Sequence, residues 1–122
     1  PPLAQWPAAP DARRALAPQQ LVPGRGPALK TAQDSSAAID YTRRWVQTLY
    51  RCAQEGVAKG MSLREVYAQT RQTMDPEFGK VFIYEHCIPF DVSRAYDEAS
   101  GIAQPRVWTA ERDREMWAAL ND

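Results

Sequence analysis

"SSAAIDYTRRWVQTLYRCAQEGVAKG", residues 35–60, decides the fold class of this chain. Ile39, Val46, Leu49, Tyr50, Ala53 and Val57 recur at spacings of three, four and seven, which predicts one apolar face of an α-helix over 35–59. Trp45 and Cys52 widen that face to about half the circumference, so this helix needs cover on more than one side. Gly60 supplies the left-handed position at which such a helix ends.

Working outward toward the C-terminus, "GMSLREV" (60–66) carries a complete start signal. Ser62 is placed to cap, Glu65 to close the capping box, and Met61 to pack on Val66 as a staple. Leu63, Val66, Tyr67 and Thr70 form the buried side of that helix. Asp75-Pro76 is expected to restart the chain as cap and first helical residue. A short apolar helix through Phe78, Val81, Phe82, Tyr84 and Glu85 should then end before Pro89. "FDVSRAYDEAS" (90–100) predicts another helix with Val92, Ala95, Tyr96 and Ala99 inward, closed by Gly101. Thr109 can cap a last helix carrying Met116, Trp117 and Leu120.

Toward the N-terminus the signals weaken. Four prolines in residues 1–10 suit an extended arm. "DARRALA" (11–17) predicts a short helix capped by Asp11 and ended by Pro18. "QLV" (20–22) is a possible short strand running into "LVPGRGP" (21–27). The reading is therefore a mainly α chain with at most one or two short strands. It divides into an N-terminal arm, helix, strand and loop over 1–34 and a helical region over 35–122.

Composition narrows the classes. The 122 residues suffice for one modest core without staples. Fifteen basic and fifteen acidic residues balance, so no net field calls for nucleic acid or an anionic membrane, and neither is expected as a partner. No apolar run approaches the ~20 residues of a membrane span, and no signal-peptide pattern opens the chain. Cys52 and Cys87 are too few for a disulfide framework and lack metal-ligand spacing, which points to free thiols in a reducing, cytoplasmic setting. A chain that begins "PPLAQWPAAP" without Met is expected to be a fragment or a processed product.

"LVPGRGP", preceded by a short helix and strand and followed by a long helix, resembles the C-terminal portion of metallo-β-lactamase-fold hydrolases. In that family a strand ends in a Pro-Gly-His-Gly-Pro turn whose histidine binds the second metal. A helix with a "GMSLREV"-like start often follows. "YEHCIPFDVSRAYDEASGI" (84–102) is similar to the helical C-terminal extension of one subgroup, which carries an Asn/Asp-Val-x-Arg-Ala-Tyr pattern matched here by Asp91 to Tyr96. The resemblance spans residues 11–120. It implies the helical C-terminal part of an αββα sandwich whose parent activates water at zinc or another divalent metal. The missing N-terminal metal-binding half then becomes the expected partner, or a second copy joined through exposed apolar helix faces.

Two departures shape what this chain itself can do. The family's His-x-His-x-Asp-His run is absent, and His86 is the single histidine. Position 25 is arginine where the family's turn has histidine, and a guanidinium has no free lone pair for a metal. No catalytic residue and no cofactor are therefore expected in this chain alone.

Arg25 has three readings. It is a solvated turn residue, a two-pronged clamp for a substrate carboxylate or phosphate flanked by Gly24 and Gly26, or the remnant of a lost metal site. "EHC" (85–87) suggests a mixed metal site, but neighbours on a helix point about 100° apart. That leaves His86 a weak metal candidate beside a hydrogen-bonded structural role, and an adjacent histidine does not make Cys87 an activated nucleophile. Tyr41, Trp45, Tyr50, Tyr67, Phe78, Phe82, Tyr84, Phe90 and Tyr96 read as core at helical spacing, or as walls of the parent's pocket. "ERDRE" (111–115) reads as a solvated face with local ion pairs, and Asp91 with Arg94 as a cap or ion pair anchoring the extension. The competing functional class is a stand-alone helical interaction module.

Overall fold

A computed structural model describes residues 3–6, 8–20, 28–81, 84–102, 106 and 108–121. Among these residues the fold is mainly helical. It comprises a 3-10 turn at Leu3–Gln5, then α1 (Ala8–Ala15), α2 (Ala32–Ala58), α3 (Leu63–Phe78), α4 (Tyr84–Ala99) and α5 (Ala110–Asn121). The only strand-like feature described is an isolated bridge at Leu29. Of the expected strand at 20–22, Leu21 and Val22 lie outside the described residues, as does the whole of 21–27. The chain divides into two compact units, Leu3–Gln47 and Thr48–Asp122.

In the first unit, α1 starts earlier than the prolines suggest. Pro10 falls in the first turn of α1, where its missing N–H would have had no helical partner. Asp11 is consequently a first-turn residue and not the cap. Thr31 opens α2 three residues ahead of the expected start by accepting the Asp34 N–H on its Oγ1 at 3.0 Å. Asp11 and Arg14 on α1 pair with Arg43 and Asp40 on α2, the Arg43–Asp11 contact being 3.1 Å. All four side chains are about a third or more exposed, so each pair contributes roughly 0–1 kcal/mol.

The second unit holds the larger core. Leu49, Cys52 and Ala53 bury the end of α2, and Gly60, at φ +70°, ends it. The Met61 N–H returns to the Gly56 carbonyl at 2.9 Å and the Gly60 N–H to the Val57 carbonyl at 3.0 Å, which together form a Schellman close. Gly101, at φ +101°, ends α4 with the same pair of bonds, from Ile102 to Asp97 and from Gly101 to Glu98. The capping box of α3 is complete: Ser62 Oγ accepts the Glu65 N–H at 3.3 Å, and Glu65 accepts the Ser62 N–H at 2.8 Å. Val66, Thr70, Met74 and Phe78 line the buried side of α3, which packs on α4 and α5.

Two prolines do not break helices where the sequence predicts a break. Helix α3 continues through Pro76, and α4 continues through Pro89. An interior proline costs about 3 kcal/mol, less where few helical bonds depend on it. Pro76 sits in the final turn, and the Gly79 N–H still reaches the Asp75 carbonyl at 2.9 Å. Pro89 sits in the second turn of α4 and is itself buried beside Ile88 and Val92, so apolar burial offsets the lost bond. Helix α4 is therefore one 16-residue element and not two short ones.

Candidate functional site

The side chains with chemistry in the second unit gather in two clusters, both built on α4. The first joins α3 to the start of α4. Arg71 donates to Glu85 at 2.6 Å and to Asp75 at 3.4 Å, the latter one helical turn along α3. Its guanidinium also stands about 6.0 Å from the ring centroids of Tyr67 and Tyr84. The Tyr84 hydroxyl donates to Asp75 at 2.5 Å. Burial, and then this bond to a carboxylate, push the Tyr84 phenol above its ordinary value of 10.0, so it stays protonated well into the alkaline range. A protonated phenol, a paired carboxylate and a paired guanidinium offer neither a free base nor a nucleophile. The cluster ties two helix ends together.

The second cluster joins α4 to α5 and is centred on Asp97. Arg106 donates to it through Nε at 3.0 Å and through Nη2 at 2.5 Å. Arg112 donates from α5 to the same carboxylate at 2.6 Å and to Ser93 Oγ at 3.3 Å. Asp97 and Arg112 are only 17% and 13% exposed, which makes this the least solvent-screened ion pair described. Beside it runs an aromatic row. His86 lies 5.6 Å from Phe90, Phe90 meets Trp108 edge-on at 4.9 Å, and Arg112 stands 5.8 Å from the Trp108 centroid. Thr109 caps α5 by accepting the Arg112 N–H at 3.1 Å, so the cap also helps to place the arginine.

A third contact links two sequence-distant motifs. The Tyr96 hydroxyl donates to the Met61 carbonyl at 3.0 Å. It bridges "GMSLREV" and "DVSRAY", whose side chains otherwise belong to different helices.

The residues singled out from the sequence fare differently. Gly24, Arg25 and Gly26 lie outside the described residues, as does Phe82. His86 is exposed on α4 with its ring against Phe90. Glu85 is held by Arg71, and Cys87 is half-buried, so "EHC" fans out as helical geometry requires. Among the described residues no group of three or more His, Cys, Asp or Glu side chains is placed to hold a metal. "ERDRE" is not simply a solvated face, because Arg112 reaches into the Asp97 cluster while also facing Glu115 at 3.6 Å. Of the aromatic stripe, Phe78 and Tyr84 are fully buried, whereas Tyr67, Phe90 and Tyr96 are intermediate.

Sequence reasoning missed Arg71, Asp97 and Arg112 as organising residues. Arg71 and Asp75 do carry a local signal, an opposite-charge pair four apart on a helix. Asp97 and Arg112 carry none, since their pairing spans fifteen residues and a chain reversal. Neither cysteine is in a disulfide, Cys52 being buried and Cys87 partly so. None of the described helices is long and apolar enough to cross a membrane. No protein-family model matches the sequence, and no curated protein matches it either.

Proposed function

We propose that these residues are the helical C-terminal region of a metallo-β-lactamase-fold hydrolase, bracing an αββα sandwich supplied by the rest of that protein. The reading is supported by the order of three motifs: the sequence "LVPGRGP", a capped "GMSL" helix start and an Asp-Val-x-Arg-Ala-Tyr helix. The observation that carries it is the Tyr96–Met61 hydrogen bond, which couples the second motif to the third across 35 residues. In this reading the parent's metal supplies activated water for cleaving an ester, thioester or amide. This chain supplies packing, and Arg25 takes an anionic group of the substrate where the family's histidine would take a metal.

The test starts with the coding sequence upstream of Pro1, which this reading requires to contain a His-x-His-x-Asp-His run. The longer protein should then hydrolyse an activated ester or thioester. Arg25→Ala should raise KM for anionic substrates while leaving the bound metal unchanged. A metal content that changes with Arg25→Ala would remove the substrate role, and an upstream region without the histidine run would remove the parent.

One observation favours a second reading, a stand-alone helical interaction module. Trp108 and Trp117 are 42% and 44% exposed, and tryptophan is enriched where interfaces carry their binding energy. A start codon with no metal motif before it would favour this module. A dimer alone would not decide, because a helical layer separated from its sandwich also self-associates.

A further inference from the structure

We infer that α5 is a strap that opens from the second unit on its own and is held shut by the Asp97 latch. Two independent features of the described residues carry this. The first is how little apolar surface α5 commits. Met116 is its only fully buried side chain, whereas four side chains of α3 and six of α4 are buried. Trp117, one residue on, faces solvent. Segments with few buried apolar contacts open at lower free energy than the core they rest on.

The second feature is that, beside its packing on α3, α5 is held by polar contacts that converge on one carboxylate. Asp97 receives Arg112 from α5 at 2.6 Å and Arg106, ahead of α5, at 2.5 Å. Trp108 adds an edge contact to Phe90 on the same side. The latch is not perfectly satisfied, since the Arg112 Nε is buried without an acceptor, a cost that opening relieves. Opening withdraws Arg112 from Ser93 and Asp97 and Trp108 from Phe90, and uncovers the part of α3 on which α5 packs. The box-capped α3 and the buried side of α4 stay in place.

Hydrogen exchange of the 122-residue chain, read by peptide mass spectrometry, tests this. Peptides from 110–121 should exchange faster than those from 66–78 and 84–99 in the unaltered protein. Asp97→Asn should speed exchange in 110–121 by roughly tenfold or more, the loss expected for a charge-assisted bond, with the other two segments unchanged. Trp108→Ala should show the same selectivity, and it leaves the ion pairs intact. Equal protection of all three segments in the unaltered protein would overturn the strap. So would an Asp97→Asn effect spread evenly across them.

Discussion

Replacing Gly56 with alanine tests a close approach of α2 to α3 in the second unit. On an isolated helix the change stabilises by about 0.8–1.0 kcal/mol, because alanine is the better helix former. Here a β-carbon on residue 56 would stand 2.4 Å from Val66 Cγ2, well inside the roughly 3.5–4.0 Å of ordinary carbon contact. Val66 has little room to yield. It is fully buried, it is β-branched and so nearly fixed in χ1 on a helix, and its N–H is bonded to the Ser62 carbonyl at 3.0 Å. Relief requires α3 to move away from the end of α2, an overpacking cost of about 1–3 kcal/mol. Set against the propensity gain, Gly56→Ala should bring no stabilisation and a net loss of up to about 2 kcal/mol in urea unfolding followed by circular dichroism. Val66→Ala removes the offending methyl, so the double variant should lose less than the sum of the two single changes. Gly60→Ala is the control. Nothing lies within 4 Å of its β-position, but its φ of +70° penalises alanine by about 1–2 kcal/mol, and Val66→Ala should not rescue it. A Gly56→Ala variant that gains about 1 kcal/mol would show that propensity alone governs the site and that the close approach is wrong.

Ser62→Ala should cost about 1 kcal/mol in the same assay, since it deprives the Glu65 N–H of its acceptor; no loss would mean the box is ornamental. Tyr96→Phe should cost about 1 kcal/mol by removing the donor to the Met61 carbonyl, read as a lowered urea midpoint with unchanged slope. Tyr84 predicts an alkaline effect. Its neutral form is favoured in the folded state, so its contribution is whole below the ordinary value of 10.0 and declines as pH rises above it. Tyr84→Phe should therefore show a shallower loss of stability between about pH 10 and 12 than the parent chain, and equal slopes would refute the buried bond to Asp75.

The parts of the fold legible in the sequence are those set by local chemistry. The apolar face of α2, the Ser62–Glu65 box, and the left-handed ends at Gly60 and Gly101 each need only a few neighbouring residues. The helix boundaries at Pro10, Pro76 and Pro89 were not legible, because whether a proline breaks a helix depends on its turn and on burial. The role of Gly56 was hidden for a related reason: its meaning lies in Val66, ten residues away on another helix. Among candidate site residues, the geometry of "EHC" follows from helical periodicity. The Asp97–Arg112 pairing does not, since nothing in a charged run says which arginine folds inward.

The most direct test of the central reading is the intact mass of the protein isolated from its own cells, with elemental analysis for zinc, iron and manganese. A metallohydrolase parent predicts a mass well above 13.8 kDa with about one or two metals per chain. A mass of 13.8 kDa with no metal would contradict it and leave the helical module.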